Sequence, residues 1–388
     1  MVSRIMKYLQ LQKVGFLELL VALYPILAGY SYGVIHGNIL FILLCAVVSL
    51  FKKRHVVKTT WLNILIIFIL LHETLLMAVI PPNGYFINNT ISILIICVCI
   101  IPIVRAIDYE KLVGSLNWVA ILSIGGLVYQ AGIVMAGGTV SPLKLPFMPD
   151  LDTDSRLFEV VVRPSSFFWE PAALVTFLMV PLFISLTQKK YLWSGVLILS
   201  MFLSTSSTGI LMSLVMLVVY VFTQKIKLRT RLFVLIFGAA LTFALLNSPY
   251  FEAGVDKIEN TDPEKNARLM NGIFLYNSLN TTEKFLGIEA ANVDDYYSAH
   301  GGMYYGVGSV FVPTFWHTLA KYGIVGLFIF LCIYFRLLIK DRSLIPYILV
   351  LFISMFFQSM SIGSSGFAYQ LIFLYSYVNR SSLKRIAN

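Results

Sequence analysis

Charged residues are scarce. Asp, Glu, Lys and Arg make up 12% of the 388 positions, against 58% hydrophobic residues, whereas soluble globular domains carry about 25% charged residues. With a mean hydropathy of +0.83, a soluble globular domain is excluded and a polytopic membrane protein is expected. Cysteine is scarcer still. Cys45, Cys97, Cys99 and Cys332 all fall inside apolar runs, which argues against a disulfide framework or a zinc site. Also missing are a Walker A loop, a GxGxxG turn, a zinc signature and a paired DxD-type metal site. The sequence therefore gives no support to ATP or a nucleotide sugar as energy source, and no metal or cofactor is expected. Internal repeats and low-complexity tracts are absent as well.

The net charge of +10 is first a topology signal in such a chain and not a sign of nucleic-acid binding. Apolar runs of spanning character fall at about 15–35, 38–51, 60–80, 90–106, 115–136, 167–187, 191–205, 208–223, 231–247, 310–336, 343–361 and 365–379. The first is read as a retained span, because no small-residue cleavage pattern follows it. About twelve spans with both termini in the cytoplasm place most basic residues inside, including Lys52, Lys53, Lys189, Lys190, Arg342 and Arg380, as the positive-inside rule requires. The expected fold is an all-α integral membrane domain over residues 1–388, with two long outside loops at 137–166 and 247–308. The second is the main polar stretch, rich in carboxylates and tyrosines that suit a sugar-binding surface.

Several constellations carry possible chemistry. Arg163-Pro164-Ser165-Ser166-Phe167-Phe168-Trp169-Glu170-Pro171 sets an outside arginine before a glutamate that enters the membrane about one turn later. A guanidinium there can clamp phosphate and the carboxylate can accept a proton; an interfacial Arg163–Glu170 ion pair is the plainer alternative. Ser204-Thr205-Ser206-Ser207-Thr208-Gly209 offers Ser206 and Thr208 to a ligand, or simply makes a tight helix–helix turn. Arg268 repeats the phosphate-binding option in the large loop, with solvation as its alternative. Tyr296, Tyr297 and His300 are further loop candidates, although a lone histidine is usually structural. Within spans, Glu18 and the neighbours His72 and Glu73 are buried ionisable groups and so functional candidates by default; Glu18, with Lys13 nearby, can alternatively reach the interface.

The Arg163–Pro171 segment, the 204–209 turn, the loop with Arg268, Phe285-Leu286-Gly287 and Lys321-Tyr322-Gly323-Ile324-Val325-Gly326-Leu327, in that order, together resemble the bacterial O-antigen and capsule polymerase family (Wzy-type), with O-antigen ligases as relatives. The resemblance covers about residues 155–335. It implies a GT-C-like glycosyltransferase of the bacterial inner membrane, acting on its outer face on undecaprenyl-pyrophosphate-linked oligosaccharides, with a chain-length regulator and a flippase as partners. It also implies that Arg163 and Arg268 hold the pyrophosphate. The ligase relatives place a catalytic histidine about eleven residues before the glycine matching Gly323; here Val312 stands there, which favours polymerase over ligase. Glu170 and His300 are the candidate bases. A lipid-linked oligosaccharide flippase or another transporter is the rival class, and should show a two-fold repeat and charges along a central cavity.

Overall fold

The computed structural model describes residues 13–32, 35–53, 55–79, 84–149, 163–224, 267–288, 312–358 and 360–386, with isolated positions at 151 and between 228 and 247. The described chain is mostly helical and apolar. Its helices are α1 (Phe16–Leu27), α2 (Gly37–Leu50), α3 (Thr60–Val79), α4 (Gly84–Ala106), α5 (Tyr109–Met135), α6 (Pro171–Thr187), α7 (Tyr191–Leu203), α8 (Ser207–Thr223), α9 (Ala267–Ser278), α10 (Thr281–Leu286), α11 (Thr314–Lys340), α12 (Ile345–Ser354) and α13 (Ser365–Ile386). Among the described residues, four stretches, Thr60–Ala78, Ile87–Ala106, Tyr109–Met135 and Thr314–Lys340, are long and apolar enough to cross a membrane. Helices α1, α2, α6, α7 and α8 and the Arg342–Ser354 stretch are apolar but shorter. These features make the chain a helical, membrane-embedded protein. Most of the run at 231–247 lies outside the described residues.

Boundaries differ from the sequence reading where backbone chemistry intervenes. The first run does not continue as helix to Ile35: α1 ends at Leu27, and Ser31–Tyr32 (β1) pairs antiparallel with Ile35–His36 (β2). The sixth does not begin at 167. Glu170 is extended, at φ −147° and ψ 158°, and Pro171 opens α6 as its first residue, a position where the missing N–H costs nothing. The run at 343–361 is helical only to Ser354.

The chain divides into two compact units. The first holds residues 1–115, 263–342 and 355–388. In it α2 packs on α1 and α4, α11 on α3, and α9 and α10 on α11. Its basic connections gather at one end. Lys52 Nζ lies 2.7 Å from Glu18, the Asp108 N–H donates to Glu18 at 2.9 Å, the His55 N–H donates to the Arg105 carbonyl at 2.6 Å, and Arg380 pairs with Asp341 at 3.0 Å. Glu18 is fully buried and its carboxylate is held by Lys52.

The second unit holds residues 116–262 and 343–354, organised on α6. Every residue from Leu174 to Leu186 is buried, so α6 is apolar on all sides because it is enclosed on all sides. Phe183 packs against Tyr347 of α12, and the Tyr220 hydroxyl of α8 donates to the Leu186 carbonyl at 2.7 Å.

Candidate functional site

In the second unit two of the sequence constellations meet. Pro171 fixes the start of α6, so the eight residues before it form an irregular turn, and that turn is pinned by Gln130 of α5. Gln130 is 1% exposed; its Oε1 accepts from the N–H groups of Ser165 (3.0 Å) and Ser166 (2.6 Å), and its Nε2 donates to the Ser141 carbonyl (2.6 Å). Held this way, Arg163 points Nη1 at the Thr205 carbonyl, 3.5 Å away.

Both partner segments carry local strain. Ser166 sits at φ +56° and Thr205 at φ +50°, and a β-branched residue at positive φ is an outlier that only a determined environment maintains. The Ser165, Ser166 and Thr205 hydroxyls are buried and have no hydrogen-bond partner among the described residues. Ser206 caps α8 by accepting from the Gly209 N–H at 3.3 Å, and Thr208 is buried in the first turn. A Cβ on Gly209 would fall 2.6 Å from a Val175 methyl and 3.1 Å from the Met201 carbonyl, so glycine is what lets α8 approach α6 and α7. Ser206 and Thr208 therefore do the work of a tight helix junction. Next to that junction lie an arginine, strained backbone and uncommitted hydroxyls, a combination that can receive an oxyanion.

In the first unit the other two constellations meet. Helix α11 breaks at Gly323, with φ +64° and ψ −173°, and α10 ends at Gly287, with φ +86° and ψ 174°. The two glycines interlock: a Cβ on Gly323 would lie 2.0 Å from the Phe285 carbonyl oxygen, and one on Gly287 2.2 Å from that of Lys321. The Ile288 N–H donates to the Ala320 carbonyl at 2.7 Å, satisfying an oxygen that the break leaves without its helical donor.

Beneath this junction sits a group of ionisable side chains. Lys321 and Glu73 are each 1% exposed, and Lys321 Nζ is 3.8 Å from Glu73 Oε1. His72 Nδ1 is 3.9 Å from the same oxygen, while His72 Nε2 donates to the Leu286 carbonyl at 2.6 Å. The Tyr322 ring lies 5.3 Å from His72, centre to centre, and under the Lys321 ammonium at 4.8 Å. Lys321 is thus a buried cation with a partner, within a helix long and apolar enough to cross a membrane. The sequence signal was a lone lysine in an apolar run, matched by the His72-Glu73 pair in another.

The remaining candidates fall less informatively. Glu170 stands at the N-cap of α6 without a side-chain capping bond. Arg268 lies in the first turn of α9, in the first unit, whereas Arg163 is in the second; the Arg268 side chain is outside the described residues. His300, Tyr296 and Tyr297 also lie outside them. Helix α9 packs on α11 through Gly272, where a Cβ would meet Trp316 at 2.1 Å, and through Tyr276, whose ring is 5.8 Å from that of Trp316. Val312 is buried in an apolar cluster with Leu275, Leu279, Ile288 and Ala320. No protein-family model and no curated protein matches the chain.

Proposed function

We propose that the chain is a polysaccharide polymerase of the bacterial plasma membrane. It transfers a growing O-antigen or capsule glycan from undecaprenyl pyrophosphate to the non-reducing end of a lipid-linked repeat unit. The reading takes the fold as GT-C-like with about twelve spans, both termini in the cytoplasm and the chemistry on the outer face. The observation that carries it is Arg163 against the strained Thr205 turn. A planar guanidinium beside uncommitted hydroxyls suits the charge that develops on a departing pyrophosphate. Outside the cell a sugar donor must bring its own leaving group, and a lipid pyrophosphate does.

The gathering of basic connections at one end of the first unit, away from the α10–Gly323 junction, is in keeping with this orientation. Under this reading Arg268 is the second phosphate ligand, Glu170 and His300 are candidate bases, and Tyr296 and Tyr297 are sugar contacts. The test is the lipid pool: membranes lacking this protein should accumulate lipid carrying one repeat unit, and an unchanged pool with long chains still made would overturn the reading.

One observation favours a second reading. A helix broken at Gly323 beside a buried Glu73–Lys321 pair is also the architecture of transporters, so a lipid-linked oligosaccharide flippase is the alternative. In that case the repeat unit would fail to reach the outer leaflet, instead of reaching it and staying short.

A further inference from the structure

The Glu73–Lys321 cluster has no part in the phosphate chemistry assigned to Arg163, yet it gathers several buried polar atoms without partners in the first unit. Among the described residues, Glu73 Oε1 and Oε2, His72 Nδ1 and the Tyr322 hydroxyl are buried with no hydrogen-bond partner. Each such group inside an apolar protein costs on the order of 1–3 kcal/mol, and ionisable groups in spans persist mainly where they are used.

The spacing narrows the use. Separations of 3.8 Å from Lys321 and 3.9 Å from His72 to Glu73 Oε1 are too long for hydrogen bonds, and a polar gap of that size invites a bridging group. The charges select its chemistry. A phosphate or carboxylate would be repelled by Glu73, and a cation by Lys321. A neutral hydroxyl satisfies both, donating to the carboxylate while accepting from the ammonium or from the Tyr322 hydroxyl. His72 Nε2 is committed to the Leu286 carbonyl, so it anchors the imidazole and leaves Nδ1 facing the carboxylate. Among the described residues, the six-residue α10 and Gly287–Ile288 lie against this part of α11, and they belong to the polar 247–308 stretch.

We propose that this cluster is the site for the acceptor's sugar hydroxyl and that Glu73, in place of Glu170 or His300, is the base for transfer, an inference that rests otherwise on the polymerase reading. As the hydroxyl oxygen attacks the anomeric carbon, its proton passes to the Glu73 carboxylate. The new C–O bond forms as the bond to the lipid pyrophosphate breaks, and its electron pair leaves with the phosphate oxygen. Lys321 holds the carboxylate and its ammonium charge offsets the oxyanion character of the attacking oxygen. Water or a purely structural ion pair is the competing explanation.

The test compares wild type, Glu73→Gln and the double variant Glu73→Gln/Lys321→Met in proteoliposomes supplied with the lipid-linked saccharide fraction of cells lacking the protein. Removing one member of a buried pair strands the other charge, whereas removing both is close to neutral for folding, so the double variant carries the test even if the single one unfolds. Elongation should fall about a hundredfold or more in both variants, with the double variant unfolding near the wild-type temperature. Recovery of elongation in the double variant would make the pair structural and overturn the proposal. A second readout does not need turnover: dicyclohexylcarbodiimide labelling of Glu73, followed by mass spectrometry, should be suppressed by the saccharide-lipid fraction. Labelling unaffected by that fraction would overturn the site, whereas absent elongation by wild type with protection intact would count against the polymerase reading alone.

Discussion

Gly287 and Gly323 meet backbone to backbone, each filling the space where the other's neighbourhood would reject a side chain. Both occupy a region of φ/ψ near +60° to +90° and ±175° that is essentially restricted to glycine. Gly323→Ala and Gly287→Ala should each destabilise the protein by roughly 3 kcal/mol or more, combining strain with a clash against carbonyl oxygens that cannot move cheaply. Gly195→Ala, at a helical glycine where a Cβ meets nothing within 4 Å, should be neutral or slightly stabilising. Thermal unfolding in detergent checks all three, and equal behaviour of Gly323→Ala and Gly195→Ala would contradict the interlock.

Buried Gln130 makes three hydrogen bonds, two from the N–H groups of the Arg163 turn and one to the Ser141 carbonyl. Gln130→Leu leaves two N–H groups and a carbonyl without that partner. It should cost about 3 kcal/mol, at roughly 1 kcal/mol for each bond. It should also impair polymer formation beyond the loss of folded protein, since Arg163 is no longer positioned. The comparison is polymer made per folded molecule, quantified by fluorescence-detected chromatography and glycolipid gels.

Arg163→Ala should abolish polymer while leaving protein level intact, because the side chain removed is half-buried in a turn and not a fully buried core residue. Arg163→Lys should fail nearly as badly, as a point charge does not reproduce a planar fork. Thr205→Gly separates strain from function: relief of the positive φ should raise stability by about 1 kcal/mol, while loss of the buried hydroxyl should shorten chains. Wild-type chain lengths in Arg163→Ala would remove the arginine from the mechanism.

How much of this was legible in the sequence depends on the kind of interaction. Apolar runs announced the helices because burial and lipid contact write themselves into local composition, but the start of α6 at Pro171 was missed, since the apolar run begins at 167. The 204–209 turn was legible as a helix junction for the same local reason. What could not be read were the pairings. His72 meets Leu286 across 214 positions, and nothing near Lys321 names Glu73 as its partner. Gly323 looked like one glycine among several in a membrane helix; only the Phe285 carbonyl lying against it explains the break. Glu18 had only Lys13 nearby in the sequence and is held by Lys52, at the end of a different helix.

Orientation is open to direct test. In a Cys332→Ser background, cysteine at Thr282, exposed on α10, should react with an impermeant thiol reagent from outside intact cells. Cysteine at Lys53, exposed at the basic end, should react only after permeabilisation. The reverse pattern would place the α10–Gly323 junction in the cytoplasm, where an undecaprenyl-linked polymerase of this kind could not work.

The most direct measurement of the central claim uses the purified full-length protein with lipid-linked repeat units as its only sugar source. With no ATP and no nucleotide sugar, and with excess chelator present, the account expects a ladder of lipid-linked chains growing by one repeat unit per step and the release of undecaprenyl pyrophosphate. A pool of single repeat units left unchanged by protein shown to be folded would contradict it, and passage of those units across the bilayer in the same proteoliposomes would make the protein a transporter instead.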